Sequence, residues 1–277
     1  YMHIFSDQSF IIPKSTSREI ALTTPQQEEL DRERRAMFDT LELTSSQYSA
    51  SGLTDTVLYV RYKKAWEYQA KCRQVGLSLT SGIILPSGQR RNCFNTGSIP
   101  FGGNGALGFF IGTDNSFELK EDLTAGLSIE LCTRFEKTVQ ERIPVNTQSN
   151  YLFGALHGPV SIDQGSTIRL SPYIFLGNLR DGFDCSLQYS YTNHSGDLWI
   201  DMRSDQTNPS NLNDIFKKSE WESEYVSLTV SYDSGRVIRH DSLQPSVIFS
   251  WDIPLRLLTA HEVSRTHAIS LGIELCF

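Results

Sequence analysis

Along much of this chain, apolar and polar residues alternate with a period of two. Val247, Phe249, Trp251, Ile253 and Leu255 alternate with Ile248, Ser250, Asp252, Pro254 and Arg256, which is the pattern of a strand with one apolar face. The same signature recurs in Val226, Leu228, Val230 and Tyr232; in Phe183, Cys185, Leu187, Tyr189 and Tyr191; and in Ala125, Leu127, Ile129, Leu131 and Phe135. Leu107, Phe109 and Ile111 continue it upstream, as do Val75, Leu77, Leu79 and Ile83. Two segments are less regular. Ile168, Leu170, Ile174 and Leu176 flank Pro172, which has no N–H to give a ladder. Leu58, Val60, Tyr62 and Trp66 share their face with Lys64. With residues 2–12 and the last twelve residues, the pattern predicts ten strands. No stretch approaches the ~18 consecutive apolar residues of a membrane helix.

The C-terminal strand places His267, Ile269, Leu271, Ile273, Leu275 and Phe277 on one face, with Ala268, Ser270, Gly272, Glu274 and Cys276 on the other. A strand of this kind ending on an aromatic residue resembles the closing strand of Gram-negative outer-membrane β-barrels, whose assembly machinery reads that signal. The connections fit the resemblance. Counted back from Phe277, those on its own side fall near 236–245, 177–182, 115–122 and 67–73 and are short. Those on the other side, near 13–54, 86–105, 137–165 and 194–224, are long, with 257–265 the exception. Short periplasmic turns and long external loops characterise such barrels. The expected fold is therefore all-β, a single antiparallel transmembrane β-barrel over residues 1–277 with ten visible strands, or twelve if two more precede Tyr1. Tyr1-Met-His-Ile-Phe carries no basic segment or cleavage site, so a mature or trimmed product is expected.

One helix interrupts the pattern. Thr24 as N-cap, Pro25 at the first helical position and Gln27 as the capping-box residue open a helix over 28–41, with Glu28/Arg32 and Asp31/Arg35 four residues apart. It lies within the 13–54 loop. Its apolar stripe of Leu30, Met37, Phe38 and Leu41 allows packing on the barrel rim, a constriction in the lumen, or a solvated position on the outer loops.

The formal net charge of −7 argues against a nucleic-acid partner, which calls for a concentrated basic patch. Five scattered cysteines (Cys72, Cys93, Cys132, Cys185, Cys276) form no metal-ligand spacing, so neither metal nor cofactor is expected. With the apolar parity facing lipid, the other parity supplies lumen-lining candidates: Arg61, Asp114, Glu118, Glu130, Arg134, Glu136, Arg169, Asp184, Gln188, Asp252, Arg256 and Glu274. Trp66, Phe117, Phe183, Tyr232 and Phe277 fall near the periplasmic rim and Phe135 and Tyr191 near the other, as interfacial girdles would. Lys64 can snorkel beside Trp66.

The resemblance implies a porin-like channel for passive diffusion of small hydrophilic solutes or ions, without enzymatic activity. Its partners would be outer-membrane lipid and lipopolysaccharide, the barrel-assembly machinery, with Phe277 as the signal, and a second copy in a homo-oligomer. A non-conducting barrel acting through its loops in adhesion, reception or structure is the alternative. A membrane-embedded hydrolase built on His194 and Ser195 is disfavoured, because adjacent residues of a strand point to opposite faces. Gly102-Gly103-Asn104-Gly105 precedes a strand, whereas phosphate cradles open helices. Arg90 and Arg91 are expected as solvated loop charges.

Overall fold

The computed structural model describes residues 2–7, 24–44, 47–68, 71–145, 153–234, 244–255 and 266–276. Arg256, Phe277 and the 257–265 connection lie outside them, as does the side chain of Glu274. Nine strands form one antiparallel sheet, the wall: β3 (Thr56–Glu67), β4 (Gln74–Leu85), β5 (Gly108–Lys120), β6 (Leu123–Arg134), β9 (Thr167–Arg180), β10 (Phe183–His194), β12 (Trp221–Asp233), β13 (Gln244–Pro254) and β14 (Ala268–Cys276). They neighbour one another in chain order, and among the described residues β3 and β14 are the edges of an open sheet. The remaining expected strand is placed differently: β1 (Met2–Asp7) pairs with β2 (Gln47–Gly52), not with the wall.

The alternation determines what each face shows. Residues opposite one another across antiparallel strands share a face, so the apolar positions form unbroken rows. One row runs Trp66, Val75, Phe117, Ala125, Ile174, Leu187, Leu228, Trp251, Ile269. Among the described residues nothing covers this face: Ile174 is 48% exposed, Leu187 50% and Leu271 69%. Lys64, on the same face, places its ammonium 5.1 Å from the Trp66 ring centroid.

Two turns are tighter than the sequence pattern suggests. The 115–122 and 177–182 connections shrink to Glu121-Asp122 and Asp181-Gly182, because β5 and β9 run on into polar sequence where the alternation fades. Asp122 and Gly182 adopt positive φ (65° and 78°), as short turns require. Pro172 sits in central strand β9: its neighbour Ser171 bonds Ser190 of β10 through their hydroxyls at 3.1 Å, stitching the strands beside the missing donor.

The long connections fold. Three of them contain strands that the alternation did not reveal: β2 in the first, and β7 (Lys137–Ile143), β8 (Leu156–Asp163) and β11 (Leu198–Asp201), the last three forming a second sheet in the order β11-β8-β7. Each of these three continues a wall strand after a short break, β6 into β7, β8 into β9 and β10 into β11. This cap has its own core of Ile143, Val160 and Ile162, packed by Val139, Leu156, Trp199 and Leu212. A short helix, α2 (Asn213–Ser219), lies against β11.

The cap also buries charge. Arg91, expected to be solvated, pairs with Glu141 at 3.0 Å, the two side chains 6% and 2% exposed. Burial pushes the Glu141 carboxyl up despite Arg91 and the Asn104 amide, which favour its charged form. Arg142 donates to the carbonyls of Cys93 (2.8 Å), Gly154 (3.0 Å) and Leu41. The last bond ties the cap to the chain just after helix α1 (Thr24–Thr40), whose Phe38 meets Phe153 edge-on at 6.5 Å. The helix is mostly exposed and forms its ion pairs at i,i+3, Glu29/Arg32 and Asp31/Arg34, in place of the expected i,i+4 pairs.

Because removing one member of a buried pair strands the other charge, Glu141→Ala is expected to cost the cap about 3–5 kcal/mol, and Arg91→Met with Glu141→Leu to recover most of it. Hydrogen exchange of the β7 amides reports both. A second prediction concerns Asp201, which three bonds from the Arg203 side chain hold below the usual carboxylate range. A depressed carboxyl stabilises the fold above its unfolded value and loses that contribution as pH falls through the folded one. Asp201→Asn should therefore melt earlier at neutral pH, and the gap from wild type should close on acidification.

Candidate functional site

The polar parity of the wall lines a cavity of about 650 Å³ bounded by side chains of β3, β4, β5, β6, β9 and β10. Two cross-strand rows form its floor. One runs Lys63, Ser78, Asp114, Ser128, and the next runs Arg61, Thr80, Gly112, Glu130, continuing outside the cavity to Arg169. Each row therefore carries a cation on β3 and a carboxylate on β5 or β6, with only short residues between them.

Tyr173 crosses this floor. Its hydroxyl donates to Asp114 Oδ1 at 3.1 Å, reaching over β6 at Gly126, where a Cβ would collide with the phenol ring. Gly82 gives Phe110 room in the same way. Arg61 Nε donates to Thr80 Oγ1 at 3.1 Å. Among the described residues no ion pair joins Arg61, Lys63, Asp114 or Glu130 to any partner.

Of the sequence candidates, Arg61, Asp114, Glu130 and Gln188 line the cavity. Arg169 lies beside Glu130 in the register, outside the lining. Asp252 is half-buried opposite Ser227 and Ala268, away from the cavity. Others do different work. Arg134 pairs with Asp55 at 2.9 Å at the cap end, and Glu136 accepts from Ser161 where wall meets cap. Asp184 is buried and accepts the Asn178 N–H at 2.8 Å, fixing the β9–β10 turn. Glu118 meets Arg73 at 3.5 Å near the β3–β4 turn. Lys63 and Tyr173 were missed, although each shares the parity of a residue that was singled out, Arg61 and Arg169.

The glycine-rich loop has an anion of its own. The Asp55 carboxylate accepts from Gly88 N–H (3.1 Å) and Gly103 N–H (2.8 Å) as well as from Arg134. Gly102 has φ 117°, and a Cβ there would strike that carboxylate.

His194 and Ser195 make separate bonds. His194 Nδ1 meets Thr167 Oγ1 at 2.8 Å, Nε2 meets Asp197 Oδ1 at 3.2 Å, and the ring stacks on Trp221. Ser195 Oγ instead exchanges bonds with the backbone of Ser166.

No protein-family model matches the chain, and no curated protein matches it.

Gly126→Leu would push Tyr173 away from Asp114, at an expected cost of about 1–3 kcal/mol from overpacking. In a double-mutant cycle with Tyr173→Phe, measured by urea unfolding, the two changes should be non-additive by the worth of the Tyr173–Asp114 bond, about 1 kcal/mol, which both break.

Proposed function

We propose that the chain is an outer-membrane β-barrel whose apolar face meets lipid and whose polar face lines a hydrated path for passive diffusion of small hydrophilic solutes. One observation carries this reading: among the described residues, the apolar face shows exposed large side chains on eight of the nine wall strands, with those of β12 half-buried. In water, contiguous apolar patches beyond a few hundred Å² mark an interaction surface or a membrane. The wall strands are 9 to 14 residues long, enough to cross a bilayer as tilted strands, which takes about 9–11.

A barrel in lipid has to close, because hydrocarbon satisfies no backbone donor. Nine alternately directed strands leave β3 and β14 pointing the same way, so closure through antiparallel pairing takes one or three further strands between them. Either number gives an even count, ten or twelve. The polar cavity supports the diffusion path, since mixed charges and hydroxyls can replace part of a solute's hydration.

The folded cap favours a second reading, a non-conducting barrel that presents the cap to a partner outside the cell. Single-channel recording in planar bilayers separates the two. Stepwise currents are expected, whereas a silent barrel with heat-modifiable electrophoretic mobility assigns the function to the cap. Recovery of the folded chain as a monomer in detergent-free buffer would sink the membrane reading.

A further inference from the structure

We infer that the cavity is a binding site for small zwitterions, with Arg61 and Lys63 on the anionic end of the solute and Asp114 and Glu130 on its cationic end. It deepens the diffusion reading by naming the solute class, and it rests on that reading for passage but not for binding.

Two cations and two carboxylates share one cavity, yet none pairs with another. The register explains this. Lys63 and Asp114 are separated by Ser78, and Arg61 and Glu130 by Thr80 and Gly112. At ~4.8 Å per strand the backbones of each cation and its carboxylate lie about 10 to 14 Å apart. The residues between them are too short to fill or neutralise the gap.

Arg61 and Lys63 stand two positions apart on one face of β3, about 7 Å in an extended strand, so their donors can converge on one carboxylate. On the far side, Tyr173 occupies Asp114 Oδ1 and fixes that side chain, leaving Oδ2 for an ammonium donor.

The four charges that line the cavity sum to zero, Arg169 standing beside Glu130 but outside the lining, and this selects the ligand class. A simple anion attracted to β3 also meets two carboxylates, and a simple cation meets the reverse. A neutral amide gains nothing from the opposed charges. Only a solute with charges of both signs, separated along its length, is favoured at both ends.

Four dipeptide-sized probes separate these classes: glycylglycine (zwitterion), N-acetylglycine (anion), glycinamide (cation) and N-acetylglycinamide (neutral). With the full chain folded in detergent, saturation-transfer NMR is expected to report glycylglycine binding about fivefold or more tighter than the other three, the effect of roughly 1 kcal/mol of added charge contact. Arg61→Gln with Lys63→Gln should shift the preference to glycinamide, and Asp114→Asn with Glu130→Gln to N-acetylglycine. Equal binding of the four probes by the wild-type protein overturns the inference without reference to any variant. So does a glycylglycine preference that survives both double substitutions in barrels that keep their heat-modifiable mobility. Glycylglycine binding by a barrel silent in planar bilayers overturns the diffusion path and leaves the site standing. Currents without a glycylglycine preference do the opposite.

Discussion

The wall has two faces that need different surroundings, and the protein itself supplies only one of them. Period-two alternation puts large apolar side chains on one side of nine strands and hydroxyls, glycines and charges on the other. In a soluble sheet the apolar side packs against a second layer. Here the second layer is absent among the described residues, and the protein's compact core lies elsewhere, in the cap. The wall's apolar side therefore takes none of its stability from that core.

Charge is handled differently in the two parts. In the cap, Arg91 and Glu141 pair out of solvent, Arg142 is consumed by three carbonyls, and Asp55 is held by Arg134 and two backbone amides. These groups hold loops in place and have little capacity left for a ligand. In the cavity, opposite charges are spaced by short residues and face open volume. A buried pair is worthwhile only when its hydrogen bonds are complete, whereas a hydrated charge is cheap to leave unpaired.

Sequence was most informative where the backbone repeats. Alternation found all nine wall strands and their apolar parity, because a strand with one apolar and one polar face must alternate. It missed β2 and the cap strands β7, β8 and β11, which are short; β7 carries Glu141 between Val139 and Ile143, where a pattern would want an apolar residue. It also placed the segment at β1 among the wall strands, since alternation says nothing about which partner a strand chooses. The candidate site was partly legible for the same reason. Parity identified Arg61, Asp114 and Glu130, but parity alone cannot say how far along the strand a residue stands, so Arg134, Glu136 and Asp184 were grouped with them. Tyr173 was hidden because its role depends on a glycine on the neighbouring strand.

The cap sheet grows directly out of the wall: β6 runs into β7, β8 into β9 and β10 into β11, with at most three residues at each break. A cover attached by flexible loops can swing on its hinges. One attached by three adjacent, mutually bonded strands is a cantilever, and tilting it means bending three ladders at once. Force applied to the outer end would reach the wall as shear between β6, β9 and β10, the strands that hold Glu130, Tyr173 and Gln188 at the cavity.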